Sequence, residues 1–70
     1  MDTNLLLAEI KLKGLSMKEF LTKIKMPKST WSKRIRGLSE FSRPEIKAII
    51  ETLKLDNIKA MQIFFDSKVA

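Results

Sequence analysis

The sequence predicts an all-α protein, a bundle of five short helices in a single domain that spans residues 1–70. Three observations lead to this prediction. Apolar residues recur at helical spacing in five segments, no segment alternates as a half-buried strand does, and signals that start or end helices separate the segments. A chain of 70 residues, of which 44% are hydrophobic, is long enough for one small core.

The first predicted helix covers residues 1–13. Thr3 or Asn4 can cap its beginning, and Gly14 is placed to end it in a left-handed conformation. Its predicted inner face combines residues at helical spacing with neighbours that widen the stripe. They are Leu5, Leu6, Leu7, Ile10 and Leu12. We expect this helix to serve the core alone.

The second predicted helix begins with an S-x-x-E capping box, in which the Ser16 hydroxyl accepts a backbone N–H and Glu19 reaches back to the cap. Its apolar stripe is expected to lie in the core. The stripe consists of Met17, Phe20, Leu21 and Ile24. Because Pro27 disfavours helical geometry at Met26, residues 25–27 form a break, and Met26 is expected to be buried between two helices.

The third predicted helix covers residues 28–36, and its spacing turns Trp31 and Ile35 inwards. Short polar and basic side chains are left on the opposite face.

The fourth helix begins with a second capping box, made by Ser42 and Glu45, and runs towards Leu55. Its core stripe consists of Ile46, Ile49, Ile50 and Leu53.

Residues 56–65 form the last predicted helix, with Asp56 as its cap. Its predicted apolar residues are Ile58, Met61, Phe64 and Phe65, with Ile63 in addition. The two phenylalanines have two interpretations: both close the core, or one of them is exposed for self-association. Residues 66–70 are expected to fray.

Positive charge is concentrated in one stretch. Residues 23–43 contain seven basic residues and one acidic residue, so the net charge of +6 belongs to about a third of the chain. A basic run is most often a solvated face. Here the run is interleaved with Ser29, Thr30, Trp31 and Ser32, which indicates a surface for nucleic acid or for an acidic partner.

The groups that enzymes use most often are missing. The chain has no histidine, cysteine or tyrosine, and its two glycines are isolated. We therefore expect no catalytic activity, no cofactor and no metal site. The lack of cysteine fits a reducing cytoplasm, and no apolar run is long enough for a bilayer, so we expect no membrane partner.

The stretch from Leu15 to Gly37, LSMKEFLTKIKMPKSTWSKRIRG, resembles the helix-turn-helix of small phage repressors of the Cro and CI type, the XRE-like family. The matching residues are Leu15, Ser16, Phe20, Met26, Ser29, Thr30, Trp31, Ser32, Ile35 and Gly37. The resemblance implies a lambda-repressor-like five-helix bundle over nearly the whole chain, with the helix-turn-helix at about residues 16–36. Within this group of proteins, the chain most resembles the very short Cro-like proteins and antirepressors that are encoded beside phage repressors.

Three residues depart from the family pattern. Leu21 replaces the small residue that lets the two helices approach, and Lys25 replaces the turn glycine. Pro27 replaces the Ser or Thr cap of the recognition helix and cannot supply a side-chain cap. These departures predict a non-standard turn, with reduced DNA affinity or a different partner for the same surface.

The resemblance implies that the helix at residues 28–36 lies in a major groove. The side chains implied to face bases and nearby phosphates are Lys28, Ser29, Thr30 and Lys33, and Ser32 shares the outward face. Those implied to contact the DNA backbone are Ser16, Lys18, Lys25, Arg36 and Arg43. Arg34 is left open between a phosphate contact and a position beside the groove.

Two functions follow from the resemblance. The first is a transcriptional regulator that binds operator double-stranded DNA in the lysis/lysogeny switch of a phage, in the cytoplasm of the bacterial host. Such a small module would need a homodimer on a palindromic site. The second is an antirepressor that binds the DNA-binding domain of a CI-type repressor. A purely structural helical module leaves the concentrated charge unexplained.

Overall fold

The computed structural model describes residues 1–65, and over that range it contains five α-helices and no strand. The helices are α1 (Thr3–Leu12), α2 (Met17–Ile24), α3 (Lys28–Ile35), α4 (Arg43–Leu53) and α5 (Asn57–Phe64). The predicted all-α fold of five helices is confirmed, and the helices are shorter at their ends than predicted. The predicted fraying of residues 66–70 lies outside the described residues. None of the helices in residues 1–65 is long and apolar enough to cross a bilayer.

The cap of α1 is Asp2, so the predictions of Thr3 and Asn4 were wrong. The Leu5 N–H donates to Asp2 Oδ1 at 3.0 Å, and Thr3 is already the first helical residue. A carboxylate is favoured here because it also complements the positive end of the helix dipole. The Asp2 N–H donates to the Ile63 carbonyl at 2.7 Å, which ties the start of α1 to the end of α5.

Both predicted capping boxes are confirmed. The Glu19 N–H donates to Ser16 Oγ at 3.1 Å, and the Ser16 N–H donates to Glu19 Oε1 at 2.9 Å. The backbone N–H of Ser16 holds the pKa of the Glu19 carboxyl below its ordinary value. The box of Ser42 and Glu45 has the same pair of bonds, at 3.4 and 2.8 Å. These boxes fix where α2 and α4 begin, independently of the rest of the fold.

The core lies between α2 and α4 and receives side chains from every helix. Its buried cluster consists of Leu6, Ile10, Phe20, Leu21, Met26, Trp31, Ile49, Leu53 and Ile63. A run of aromatic rings crosses it. The ring centroids of Phe20 and Trp31 are 5.3 Å apart, those of Trp31 and Phe41 5.8 Å, and those of Phe41 and Phe64 6.0 Å. Edge-to-face and tilted contacts of this kind add to the stabilisation that burial gives.

The predicted apolar faces of α1 and α5 need correction. On α1 the face is narrower than predicted, because Leu7 and Leu12 are exposed and Leu5 is half-buried. On α5 the buried residues are Ala60 and Ile63, with Phe64 half-buried. Ile58 and Met61, predicted among the apolar residues of this helix, are 71% and 58% exposed. Phe65 is 60% exposed, so the interpretation that both phenylalanines close the core is wrong, and a role in self-association stays a prediction.

The contact with α1 explains which face of α5 is buried. Ala60 is small enough for the two helices to approach, and Lys59 Nζ lies 3.6 Å from Oε2 of the buried Glu9 on α1. This pairing compensates the charge of Glu9. The opposite face of α5 is therefore left outside. We call the exposed residues Ile58, Met61 and Phe65 the α5 stripe.

Candidate nucleic-acid interface

α3 is held to the protein by Trp31, as predicted. The indole is only 6% exposed and lies between the rings of Phe20 and Phe41. Ile35, one turn later, is half-buried against the same cluster. Because these two side chains fix the rotation of α3 about its axis, the residues on the other side of the helix are turned to solvent.

The turn between α2 and α3 forms in spite of its unusual residues. Lys25 adopts the left-handed conformation of a turn glycine, with φ 55° and ψ 45°, and its N–H donates to the carbonyls of Leu21 and Thr22. The Met26 N–H donates to the Leu21 carbonyl at 3.0 Å, and the Met26 side chain is buried as predicted. Pro27 is the N-cap of α3 and supplies no side-chain cap.

Most of the predicted interface residues are exposed. The exposed ones are Ser16, Lys18, Lys25, Lys28, Ser29, Lys33, Arg36 and Arg43. Thr30 and Ser32 are half-buried, so they lie at the edges of the exposed face of α3. The Ser16 hydroxyl accepts an N–H in its capping box, and its own hydrogen stays available for a phosphate oxygen.

The cations on α3 differ in how they are bound. Arg34 makes two parallel hydrogen bonds to Glu45, at 3.0 Å from Nε and 3.1 Å from Nη2, and Nη1 donates to Ser39 Oγ at 2.6 Å. The bonded Glu45 raises the pKa of Arg34, and Arg34 in turn lowers the pKa of Glu45. Arg34 therefore joins α3 to α4, and three of its five N–H donors are occupied within the protein.

The other cations of α3 keep their charge uncompensated. Within residues 1–65, the ion pairs closer than 4.0 Å are Arg34–Glu45 and Lys59–Glu9. Lys28, Lys33 and Arg36 are exposed and lie in neither pair. With its side chains an α-helix is about 10–12 Å in diameter, which fits a major groove about 12 Å wide, and the eight residues of α3 make it about 12 Å long.

Sequence reasoning missed two features of this region. The bidentate ion pair between Arg34 and Glu45 joins residues in different helices, so no local sequence pattern predicts it. The exposure of the α5 stripe follows from the pairing of α5 with α1. A hint was present in the sequence, because Ile63 lies on the opposite side of the helix from Met61 when residues advance by 100° each.

Comparison with known proteins gives no assignment of this chain. No protein-family model matches the sequence, and no curated protein and no solved structure matches it significantly.

Proposed function

We propose that this chain is a small transcriptional regulator of the phage Cro/CI type, which binds operator DNA with α3 in the major groove. One observation carries the proposal. α3 buries Trp31 and turns Ser29 and Lys33 outward, with Lys28 exposed in its first turn and Arg36 exposed at its C-cap. None of these cations has a carboxylate oxygen within 4.0 Å in the described chain. Such a face combines charge for phosphates with short donors for base edges.

The proposed roles divide between reading bases and holding the backbone. Ser29 and Lys33 are one helical turn apart, so both can address base edges in the same groove, and the lysine suits guanine O6 and N7. Lys28 and Thr30 lie beside them, at the start of the helix. The proposed phosphate contacts surround this centre and come from Ser16, Lys18, Lys25, Arg36 and Arg43.

A homodimer is part of this proposal. A single module of this size buries little DNA surface, and two copies on a two-fold site would read twice the sequence. The α5 stripe supports self-association because it is apolar and lies outside the basic stretch of residues 23–43. Lys59, its charged neighbour on α5, is already paired with Glu9.

Substitutions at Ser29 and Lys33 test the proposal. An operator is first selected from a random DNA library with the unmodified protein, and binding is then measured by mobility shift on that operator and on a random duplex of equal length. Ser29→Ala and Lys33→Ala should each weaken operator binding by about 1–3 kcal/mol, the value of a good base contact. The loss of binding free energy on the random duplex should be smaller for both variants.

Lys47→Ala is the matched control, because Lys47 is an exposed lysine on α4 outside the proposed interface. Lys47→Ala should leave the affinity for the operator and the affinity for the random duplex nearly unchanged. Equal losses on operator and random DNA for the α3 variants would contradict base reading by these residues.

The second candidate function is an antirepressor that binds the DNA-binding domain of a CI-type repressor. It is favoured by the α5 stripe and by an adjoining cleft of about 640 Å³, whose apolar lining includes Ile35, Phe41, Phe64 and Phe65. Aromatic and aliphatic side chains of this kind suit a protein partner better than DNA. This candidate predicts a different outcome of the same experiment: no operator is selected, and the chain forms a stable complex with the repressor without DNA.

A further inference from the structure

A second group of lysines comes together from the ends of three other helices. Lys13, Lys23 and Lys54 line a groove of about 530 Å³, together with Leu15, Glu51 and Thr52. We call this the lysine groove. Two of the lysines lie outside the basic stretch of residues 23–43, so the fold creates this concentration of charge.

The groove lies where helices end. Lys13 is the C-cap of α1, Lys23 is in the last turn of α2, and Lys54 is the C-cap of α4, where it adopts φ 52°. A cation is favoured at the carboxyl end of a helix, and that preference explains each lysine taken singly. The free backbone carbonyls at these helix ends are partially negative and offset part of the positive charge of the lysines. Two of the carbonyls, those of Ile10 and Ile50, already accept the N–H groups of Leu15 and Leu55.

Glu51 lines the groove, and the backbone hydrogen bond from Ser16, with the charge of Lys23 in addition, lowers the pKa of Glu19. Most other carboxylates of the described chain are engaged elsewhere. Four of them accept a backbone N–H at helix starts, namely Asp2, Glu19, Glu45 and Asp56. Glu9 pairs with Lys59. In the described chain, none of the three groove lysines has a carboxylate oxygen within 4.0 Å. Glu51 is the single acid in the lining, so the lining carries a formal charge of +2.

We infer that the lysine groove is a phosphate-binding site, separate from the α3 face. Lysines bind phosphate as point charges, and the Thr52 hydroxyl adds a neutral donor. Among the described residues, the lining contains no arginine to form a planar fork with a carboxylate, and Leu15 is its one aliphatic hydrophobic residue. An acidic peptide would therefore find neither a fork nor an apolar anchor, whereas a phosphate group needs neither.

The phosphate can come from a nucleic-acid backbone or from a small phosphate compound. The probe for the shared chemistry is sodium tripolyphosphate, titrated into ¹⁵N-labelled full-length protein. Saturable amide shifts are expected at Lys13, Lys23, Thr52 and Lys54. The double variant Lys13→Gln/Lys54→Gln should weaken this binding on the order of tenfold, as expected for losing two unit charges about 5 Å away in water.

The matched control is Lys11→Gln/Lys47→Gln, which removes two exposed lysines outside the groove. It should leave tripolyphosphate binding at the groove nearly unchanged. Thermal unfolding of both double variants checks that each is folded. Equal weakening by both, or shifts spread evenly over all exposed lysines, would overturn the proposal and leave only general attraction to a basic protein.

Two further titrations separate the possible ligands. Shifts at the groove on adding a random DNA duplex would identify a nucleic-acid backbone as the source, and their absence would identify a small phosphate compound. Tighter binding of poly-glutamate than of tripolyphosphate would overturn the phosphate assignment. Lys33→Ala should leave tripolyphosphate binding at the lysine groove unchanged. The proposal that α3 reads DNA and the proposal of a phosphate site in the groove can therefore fail independently, with different experimental results.

Discussion

At the scale of single residues, Lys25 has two roles that oppose each other. It holds the turn between α2 and α3 in a left-handed conformation, with φ 55°, which a side chain with a β-carbon adopts at a cost of about 1–2 kcal/mol. It is also an exposed cation among the proposed phosphate contacts. Stability favours glycine at this position, and a contact with DNA favours lysine.

Lys25→Gly should therefore raise the free energy of unfolding and weaken operator binding. The gain is expected to be about 0.5–1 kcal/mol, because glycine relieves the strain but loses more backbone entropy on folding. Denaturant unfolding and mobility shift measure the two effects. Lys54→Gly is the control for the stability effect, since Lys54 is also left-handed, at φ 52°.

Lys54→Gly should give a similar gain in stability, and because Lys54 lines the lysine groove it serves as a control for stability alone. If Lys25→Gly lowers stability, the strain assigned to the turn is wrong. If it stabilises the protein and operator affinity does not fall, Lys25 makes no phosphate contact.

At the scale of helices, the sequence predicts well the features that depend on residues within one helical turn. The capping boxes at Ser16 and Ser42 involve residues three apart, and both were predicted correctly. The buried face of α5 was predicted wrongly, because it depends on the partner helix. Ala60 and Ile63 are buried, and Ile58 and Met61 are exposed.

The α5 stripe gives the element-scale prediction. Two antiparallel copies of α5 related by a two-fold axis near Met61 would place Ile58 of one copy near Phe65 of the other. A helix about 12 Å long buries less than the roughly 800 Å² per partner of a standard interface, so the dimer should be weak. Sedimentation equilibrium at high protein concentration should detect it.

Met61→Glu should make the protein monomeric, because it would place two carboxylates at the two-fold axis. Leu12→Glu makes the same kind of change at an exposed leucine on α1, 75% accessible and off the stripe, and should leave the dimer intact. A protein that stays monomeric at all concentrations, or dimers that survive Met61→Glu, would refute this role of the stripe.

At the scale of the whole molecule, the fold brings most acidic side chains to one kind of position. Of the seven in residues 1–65, five cap helix starts or pair with Arg34 or Lys59, whereas Lys13, Lys23 and Lys54 lie at the ends of helices. The helix dipole favours both placements. The outward face of α3 could be predicted because Trp31 and Ile35 mark its inner side. The lysine groove could not, because Lys13 and Lys54 meet only in the folded chain.

The proposed role of α3 as the helix that reads DNA can be tested most directly by titrating ¹⁵N-labelled protein with the selected operator and mapping the amide shifts. Shifts specific to the operator, absent with a random duplex, are expected to be largest in residues 28–36, with smaller shifts around Ser16 and Lys18. Operator-specific shifts that fall on α1 or α5 and leave α3 unchanged would contradict it.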